Sequence, residues 1–438
     1  MSNSRMSAGI YTLGCKVNQY ESEAIAEELQ KRGFTLSSPS GKCDVYIINT
    51  CTVTAESDRK ARQFIRRAMS KNPHAYIIVT GCLAQTSPEK LSKISGIDAI
   101  VGNSQKLLCA DIALELVRVG EKNDAPLIRV SDINSSDFEE MNITKFDRTR
   151  AYVKIEDGCE SHCTYCIIPS ARGKIRSKRP EAVIAEVSKL VTGGCFEVVL
   201  TGIETASYGK DLPCTSFADL LCSVDAIDGI GRVRLGSLDP ASINENLVKK
   251  IAPLSSLAPH FHLSLQSGSN RILALMKRKY NRDQAMKAIE LLRGAIPRVQ
   301  FTTDVIVGFP GETEEDFLDT YDFVKRAGFL NVHIFPYSKR DGTPAAIMKD
   351  QISEEIKKER LHRLEALVAE IRKEILEKEI ADSPVKDVLI ETVKDGTAFG
   401  HTAEFIEVAL PAPREICHKS VTVRLQKTDG QTCFGELI

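Results

Sequence analysis

The sequence predicts an α/β chain in three successive parts: a parallel sheet with helices on both faces, an open barrel of six β/α units, and a small all-β barrel. Three observations carry this. β-branched apolar runs alternate with helical patterns through most of the chain, the signature of parallel sheets. After Asp382-Ser383-Pro384 the helical patterns stop and short alternating strands follow. The length, 438 residues, exceeds what one core organises, so two or three domains are expected.

The N-terminal third repeats one pattern three times. Apolar runs over 9–14, 45–50 and 76–81 end in Cys15, Cys51 and Cys82. Helical patterns over 21–32 and 58–70 lie between them, the first closed by Gly33. In a parallel sheet, ligands collect outside the carboxyl ends of the strands. All three cysteines fall there, so the fold would gather them at one edge from distant sequence. The plainer alternative is three small buried residues, since free cysteine is commonly buried. A fourth strand (99–101) and a helix (109–120) follow. A polar segment over 123–150 then reads as a linker or lid with an extended piece at 127–130. Cys43, Cys109, Cys195, Cys214, Cys222, Cys417 and Cys433 show no such placement and read as ordinary core or surface residues.

The central part carries strand patterns at 151–156, 197–201, 232–237, 260–266, 300–307 and 331–337. Helical patterns occupy 180–192, 217–227, 244–251, 281–295 and 314–327, with Pro180 at a first turn and Gly193-Gly194 at a stop. Six such units make an open, partial TIM-type barrel whose active face lies where the strands end. Directly after the first strand, Gly158-Cys159-Glu160-Ser161-His162-Cys163-Thr164-Tyr165-Cys166 spaces three cysteines as C-x3-C-x2-C. Three thiolates in one loop can wrap one soft metal centre, and iron–sulfur clusters are held by cysteine thiolate. Three is one short of the usual four, which leaves one iron open to a non-protein ligand. The competing reading is structural zinc, which usually closes with a fourth Cys or His; His162, inside the loop, would point away. Polar or glycine-rich stretches at 201–204, 237–240, 264–268, 304–312 and 335–338 form a rim at the same face. Lys277-Arg278 either reaches a carboxylate or phosphate there or is a solvated face.

A long helix over 353–380 follows, with Ile356, Leu364, Leu367, Val368, Ile371, Ile375 and Leu376 as an apolar stripe. Its charged residues read as a solvated face, and the helix as a brace across the barrel. Short strands at 386–392, 398–402, 405–409, 420–426 and 432–437, with Asp395-Gly396 and Asp429-Gly430 as hairpin turns, make a small β-barrel. Such a module serves as an RNA-binding appendage or an inert cap. Net charge is −1, which leaves nucleic-acid binding to local basic runs. No apolar run approaches membrane-spanning length, and residues 1–9 lack a signal-peptide core, so no membrane association and a cytoplasmic location are expected. In that reducing setting thirteen cysteines point to metal rather than to disulfides.

Three stretches together resemble one family. Leu13-Gly14-Cys15-Lys16-Val17-Asn18-Gln19-Tyr20-Glu21-Ser22, Asn49-Thr50-Cys51-Thr52-Val53 and Thr80-Gly81-Cys82 are similar to the N-terminal domain of methylthiotransferases. The cysteine loop, continuing through Ile167-Ile168-Pro169-Ser170-Ala171-Arg172-Gly173, resembles their radical S-adenosylmethionine (SAM) core, and the final strands their TRAM domain. The resemblance implies a flavodoxin-like domain at 1–122, a linker at 123–146, a radical SAM core with its long helix at 147–380, and TRAM at 381–438. Within the family, LGCKVNQYES with NTCTVTAESDRKARQFIRRA resembles most the tRNA enzymes that act on N6-threonylcarbamoyladenosine at position 37. Two places depart from the pattern: Glu204-Thr205-Ala206, and Ser170, where tRNA enzymes usually carry Tyr. The alternatives are a methylthiotransferase acting on isopentenyladenosine, or on an aspartate of a ribosomal protein. A rival of another class is an RNA-binding protein with structural zinc, colourless where iron–sulfur protein is brown.

The resemblance also implies roles. Cys159, Cys163 and Cys166 would hold a [4Fe–4S] cluster that reduces SAM, and Cys15, Cys51 and Cys82 an auxiliary [4Fe–4S] cluster whose open iron carries the sulfur. One SAM would methylate that sulfur; a second would yield the radical that takes hydrogen from C2 of the adenine. Methionyl and ribose contacts would come from Thr201, Gly202, Glu204, Gln266 and Arg278, and adenine would lie against Tyr165, Val307, Gly308 and Phe335. An electron donor such as a flavodoxin or ferredoxin, and a sulfur donor, are implied partners. For the anticodon loop of tRNA, the candidate phosphate contacts are Arg59 and Arg62, beside Lys60, Arg66 and Arg67, and then Lys174, Arg176, Lys178 and Arg179. An anticodon loop presents unstacked bases, the usual target of RNA recognition.

Overall fold

The computed structural model describes residues 6–52, 55–122, 124–146 and 149–438. Val53 of the NTCTV stretch and the expected divisions at residues 1, 123 and 147 lie outside the described residues. The chain forms two compact units. One comprises Met1–Thr144, Tyr152–Arg179 and Lys339–Ala346; the other comprises Lys145–Ala151, Pro180–Ser338 and Ile347–Ile438.

The first unit opens with β1 (Ser7–Thr12), α1 (Lys16–Lys31), β2 (Thr35–Leu36), β3 (Val45–Thr50), α2 (Ala55–Lys71) and β4 (Tyr76–Gly81). It continues with α3 (Cys82–Thr86), α4 (Pro88–Ser92), β5 (Ala99–Val101), α5 (Leu108–Val119) and β6 (Leu127–Arg129). The strands lie in the order β2-β1-β3-β4-β5-β6, parallel at every pairing. β3 and β4 are buried along their whole length, which is why they read as unbroken apolar runs. Alternation sends Ile47 and Ile78 into the core beneath α1 and α5, and Ile48 and Val79 into the core beneath α2. α1 starts at Lys16, five residues before the expected 21, because its first turns bury the polar Asn18 and Glu21 and so hide the apolar period. The extended piece expected in the linker is β6, the sheet's edge, where Ile128 pairs with Ile100 yet remains exposed.

β7 (Arg150–Lys154) is shared between the units at Ala151/Tyr152. The strand expected over 151–156 breaks at Ile155 because β8 (Glu156–Asp157) turns to pair antiparallel with β9 (Arg176–Ser177), across α6 (Ile168–Arg172).

The second unit holds α7 (Pro180–Thr192), β10 (Glu197–Thr201), α8 (Phe217–Asp225), β11 (Arg232–Leu235), α9 (Glu245–Ile251) and β12 (His260–Gln266). Then come α10 (Asn270–Leu275), α11 (Arg282–Ala295), β13 (Gln300–Val307), α12 (Glu314–Ala327), β14 (Asn331–Pro336) and α13 (Glu354–Asp382). β10 pairs with β11, and β12, β13 and β14 pair in order, all parallel; a Leu238–Leu263 bridge links the two groups into an open barrel wall. α13 packs on β14 and α12. Its expected stripe fails at Ile356, which is exposed, and its charged face is not wholly solvated. Lys357 donates to the Tyr337 carbonyl at 3.0 Å, and Arg360 pairs with Glu312 at 2.6 Å, both buried. The chain ends in a closed barrel of β15 (Val385–Lys394), β16 (Thr397–Thr402), β17 (Glu407–Pro411), β18 (Ser420–Thr428) and β19 (Cys433–Leu437), ordered β15-β16-β17-β19-β18. Asp395 and Gly396 both take positive φ, as the tight hairpin between β15 and β16 requires. Among the described residues no helix is long and apolar enough to cross a membrane.

Candidate active site: two cysteine trios in one compact unit

All six singled-out cysteines belong to the first unit. Parallel register aligns the strand ends, Thr12 opposite Asn49 and Thr50 opposite Gly81. Cys15 then caps α1, Cys51 follows β3, and Cys82 opens α3. Gly14 (φ 102°) makes the close approach possible, since a Cβ there would stand 2.7 Å from the Cys51 Cβ and 3.0 Å from its Sγ. Asn18 staples the edge: its Nδ2 donates to the carbonyls of Leu13 (2.7 Å) and Thr50 (3.0 Å), and its Oδ1 accepts from the Cys15 thiol at 3.9 Å. Cys15 is exposed at the sheet edge, yet desolvation by the surrounding protein pushes its thiol up, Arg172 opposes the rise, and Cys82 adds to it. That coupling places the first and third cysteines in one electrostatic neighbourhood.

The second trio sits in the loop between β8 and α6. Gly158 (φ 93°) begins it, and any Cβ there would collide with the Lys174 carbonyl oxygen. The Cys159 amide donates to the Gly173 carbonyl (3.0 Å), the Cys166 amide to the Cys163 carbonyl (3.0 Å), and the Ser161 amide points at the Cys159 sulfur (3.5 Å). His162 turns through positive φ and is exposed, consistent with a residue outside the coordination set. Three soft donors with a backbone N–H directed at one sulfur fit iron–sulfur ligation, in which hydrogen bonds to the sulfurs tune the cluster.

Between the trios lies a buried ionic network that the sequence reading missed. Arg172, fully buried on α6, donates to Asn18 Oδ1 (2.5 Å), Glu21 Oε1 (2.5 Å) and both Asp157 oxygens (3.2 Å). Lys154 reaches Glu21 (3.1 Å) and Asp157 (3.3 Å), and Lys106 pairs with Glu21. Burial alone would raise the Glu21 carboxyl, but Arg172, Lys106 and Lys154 outweigh it and hold the group well below the usual carboxylate range. The chain of contacts from Cys15 through Asn18 and Arg172 to Asp157 ends two residues before Cys159, so it fixes one cysteine loop against the other. No local signal marks it, because Glu21 sits in a polar run and Arg172 lies 151 residues away.

The expected RNA contacts divide. Arg59 and Arg62 are exposed on α2, with Lys60, Arg66 and Arg67 on the same helix also exposed; Arg59 pairs with Glu56 at 2.5 Å. Lys174 and Arg179 are exposed as well. Arg176 and Lys178 are not phosphate contacts: both are buried. Arg176 donates to the Arg172 carbonyl (2.7 Å), and Lys178 to Met141 O (2.6 Å) and Asn142 Oδ1 (2.9 Å).

Of the expected SAM contacts, Tyr165 is half-buried in the first unit, and the others lie in the second, all but Arg278 at or just beyond strand ends. Thr201 ends β10, with Gly202 and Glu204 in the turn beyond it; Gln266 ends β12 with φ 67°. Val307 ends β13, and the Gly308 amide donates to Glu312 at 2.6 Å; Phe335, on β14, is exposed. Arg278 is already committed, pairing with Asp239 at 2.8 Å and donating to the Ser264 carbonyl at 2.9 Å. Those two contacts tie the segment after β11 to β12. A further group absent from the sequence reading joins β12, β13 and β14: His262 lies 3.2 Å from Asp304, with His333 close by.

A family model for the Radical SAM superfamily matches residues 153–324, and one described as "Uncharacterized protein family UPF0004" matches residues 7–102. Threonylcarbamoyladenosine tRNA methylthiotransferase MtaB of Bacillus subtilis (strain 168) is 41% identical over 434 residues, 98% of this chain and 95% of its own. The protein of the same name from Thermotoga maritima is 40% identical over 436 residues, 98% and 97% of the two chains. The tRNA-2-methylthio-N(6)-dimethylallyladenosine synthase of Hydrogenobaculum is 34% identical, over 97% of this chain and 98% of its own. Among solved structures, the radical S-adenosylmethionine methyltransferase TsrM from Kitasatospora setae shares the fold over 78% of this chain and 77% of its own, with a TM-score of 0.58 at 16% identity.

Proposed function

The chain belongs to the radical SAM tRNA methylthiotransferase family, and on that premise we propose that it inserts a methylthio group at C2 of N6-threonylcarbamoyladenosine at position 37 of tRNA. Membership implies SAM and a [4Fe–4S] cluster. The proposal goes further, to two clusters, and the observation that carries it is the pair of cysteine trios within one compact unit. The substrate reading is supported by relatives named for threonylcarbamoyladenosine at 37–41% identity, against 34–37% for those named for dimethylallyladenosine.

Cys159, Cys163 and Cys166 hold one cluster, and Cys15, Cys51 and Cys82 the other. When bound, the clusters and SAM supply the one-electron chemistry and the sulfur that an unactivated aromatic C–H demands, since it offers no acidic proton to a base. Asn18, Arg172 and Asp157 keep the two cysteine loops in register, so that neither has to order itself when substrate arrives. Thr201, Gly202, Glu204, Gln266, Arg278, Val307, Gly308 and Phe335 in the second unit, and Tyr165 in the first, are the proposed SAM contacts. Arg59, Arg62, Lys174 and Arg179 position tRNA phosphates. The domain divisions at 122, 146 and 380, the cytoplasmic location, and a flavodoxin- or ferredoxin-type electron donor and a sulfur donor as partners complete the reading.

The test is nucleoside analysis of tRNA after anaerobic reaction with reconstituted protein, SAM and reductant, using RNA bearing either threonylcarbamoyladenosine or isopentenyladenosine. Methylthiolation of the first supports the proposal. Methylthiolation of the second alone would transfer the chain to the other branch.

A further inference from the structure

A cavity of about 850 Å³ in the first unit is bordered by Thr52, Leu83 and Ile167, each the residue directly after a cysteine of one trio or the other. That volume lies in the range of small-ligand sites and suits a modified nucleoside. Its walls carry four cations, Arg62, Lys90, Lys339 and Arg340, against two acids, Asp58 and Asp341. Asp58 is taken up by Arg340 (2.9 Å), whose Nη2 also donates to the Thr52 hydroxyl (2.5 Å). Those two bonds fix the guanidinium, yet its Nε is enclosed and meets no acceptor among the described residues. A buried donor left unmade is costly unless a ligand supplies the acceptor. Lys90 and Asp341 are both well exposed and stand 3.8 Å apart, a pair of little weight. Among the described residues Arg62 and Lys339 enter no ion pair. The cavity therefore holds a surplus of positive charge beside the cysteines, with one oriented guanidinium short of an acceptor.

We propose that Lys339 and Arg340, with Lys90 at the rim, form a carboxylate subsite that receives the acidic amino-acid substituent of the base and so sets the choice of modified nucleoside. The inference rests on the proposed function, because it assigns that substituent a place. An uncharged hydrocarbon substituent would leave the Arg340 Nε unsatisfied, so the same contacts that favour the acid reject it.

The experiment compares anticodon stem-loop RNAs that carry threonylcarbamoyladenosine either with its free carboxylate or as the uncharged methylamide. For the wild type, kcat/KM should fall by about ten- to a hundredfold on the methylamide, the weight of one charge-assisted hydrogen-bonded contact. Lys339→Gln, at an exposed position, should narrow that ratio at least threefold with iron content unchanged, and Arg340→Gln should narrow it more. Equal turnover of both RNAs by the wild type would overturn the subsite while leaving the proposed function standing; it is also the result expected if these cations serve an RNA phosphate instead. A ratio unmoved by either substitution overturns the assignment of residues. If the wild type modifies neither RNA, the proposed function falls and the inference with it.

Discussion

Glu21→Gln is the most incisive perturbation of the frame between the cysteine loops. The change keeps the shape of the side chain and removes one charge. Glu21 is fully buried and contacts Arg172 at 2.5 Å, Lys154 at 3.1 Å and Lys106. Without it, Arg172 and Lys154 share Asp157, and Lys106 is left with the Asn49 side-chain oxygen at 3.2 Å. Breaking a buried pair from one side strands charge in a low-dielectric interior and costs about 3–5 kcal/mol. At roughly 2–4 °C per kcal/mol for a unit of this size, the unfolding midpoint should drop by roughly 6–20 °C. The assay is thermal unfolding followed by circular dichroism at one scan rate, because a chain of this size is expected to unfold irreversibly. The double variant Glu21→Gln/Lys106→Met removes one stranded cation and should recover part of the loss. A single-variant midpoint within about 2 °C of wild type, against the drop expected of a broken buried pair, would refute the network as a stability element.

Three more outcomes are expected. Gly158→Ala should empty the C-x3-C-x2-C loop of iron, since its Cβ would meet the Lys174 carbonyl; Gly33→Ala, at a similar φ of 90° but with open space around it, should cost only about 1 kcal/mol. Glu197 is held down at about 2 against burial by Arg234, Arg150 and Arg232. Burial lowers Arg234 too, but a guanidinium stays charged at any working pH, so the shift on Glu197 governs. A depressed carboxyl contributes stability above its unfolded value and loses it as pH falls toward the folded one, here roughly 3 kcal/mol lost between about pH 4.5 and pH 2. Glu197→Gln should therefore flatten the acid limb of a Tm-against-pH curve, and an unchanged limb would contradict the pairing. Lys174→Gln with Arg179→Gln should lower the log–log salt slope of tRNA binding by about two without lowering Tm, whereas Lys178→Gln should lower Tm.

What was legible in the sequence follows from the range of the interactions involved. The three strand-end cysteines could be placed because β1, β3 and β4 are continuous apolar runs whose parallel pairing aligns their ends. The cysteine loop is a single local motif. Arg176 and Lys178 read as surface cations because charge in a short run usually faces water. Here their partners, such as Asp157 and the Met141 carbonyl, come from outside the run, and no local pattern encodes them. Glu21 and Arg172 are separated by 151 residues yet share one hydrogen bond network, which only the fold reveals. α10 escaped notice for a different reason: six residues capped by Ser269 are too short for a helical period to register.

The central claim is that one chain holds two separate iron–sulfur clusters on two cysteine trios. Iron and sulfide should be counted after anaerobic reconstitution of the wild type, Cys159→Ala and Cys51→Ala. Two [4Fe–4S] clusters predict about eight irons in the wild type and about four in each variant. A wild type with about four irons, lost in one variant and retained in full by the other, would contradict the second cluster, and zinc in place of iron would contradict the chemistry altogether.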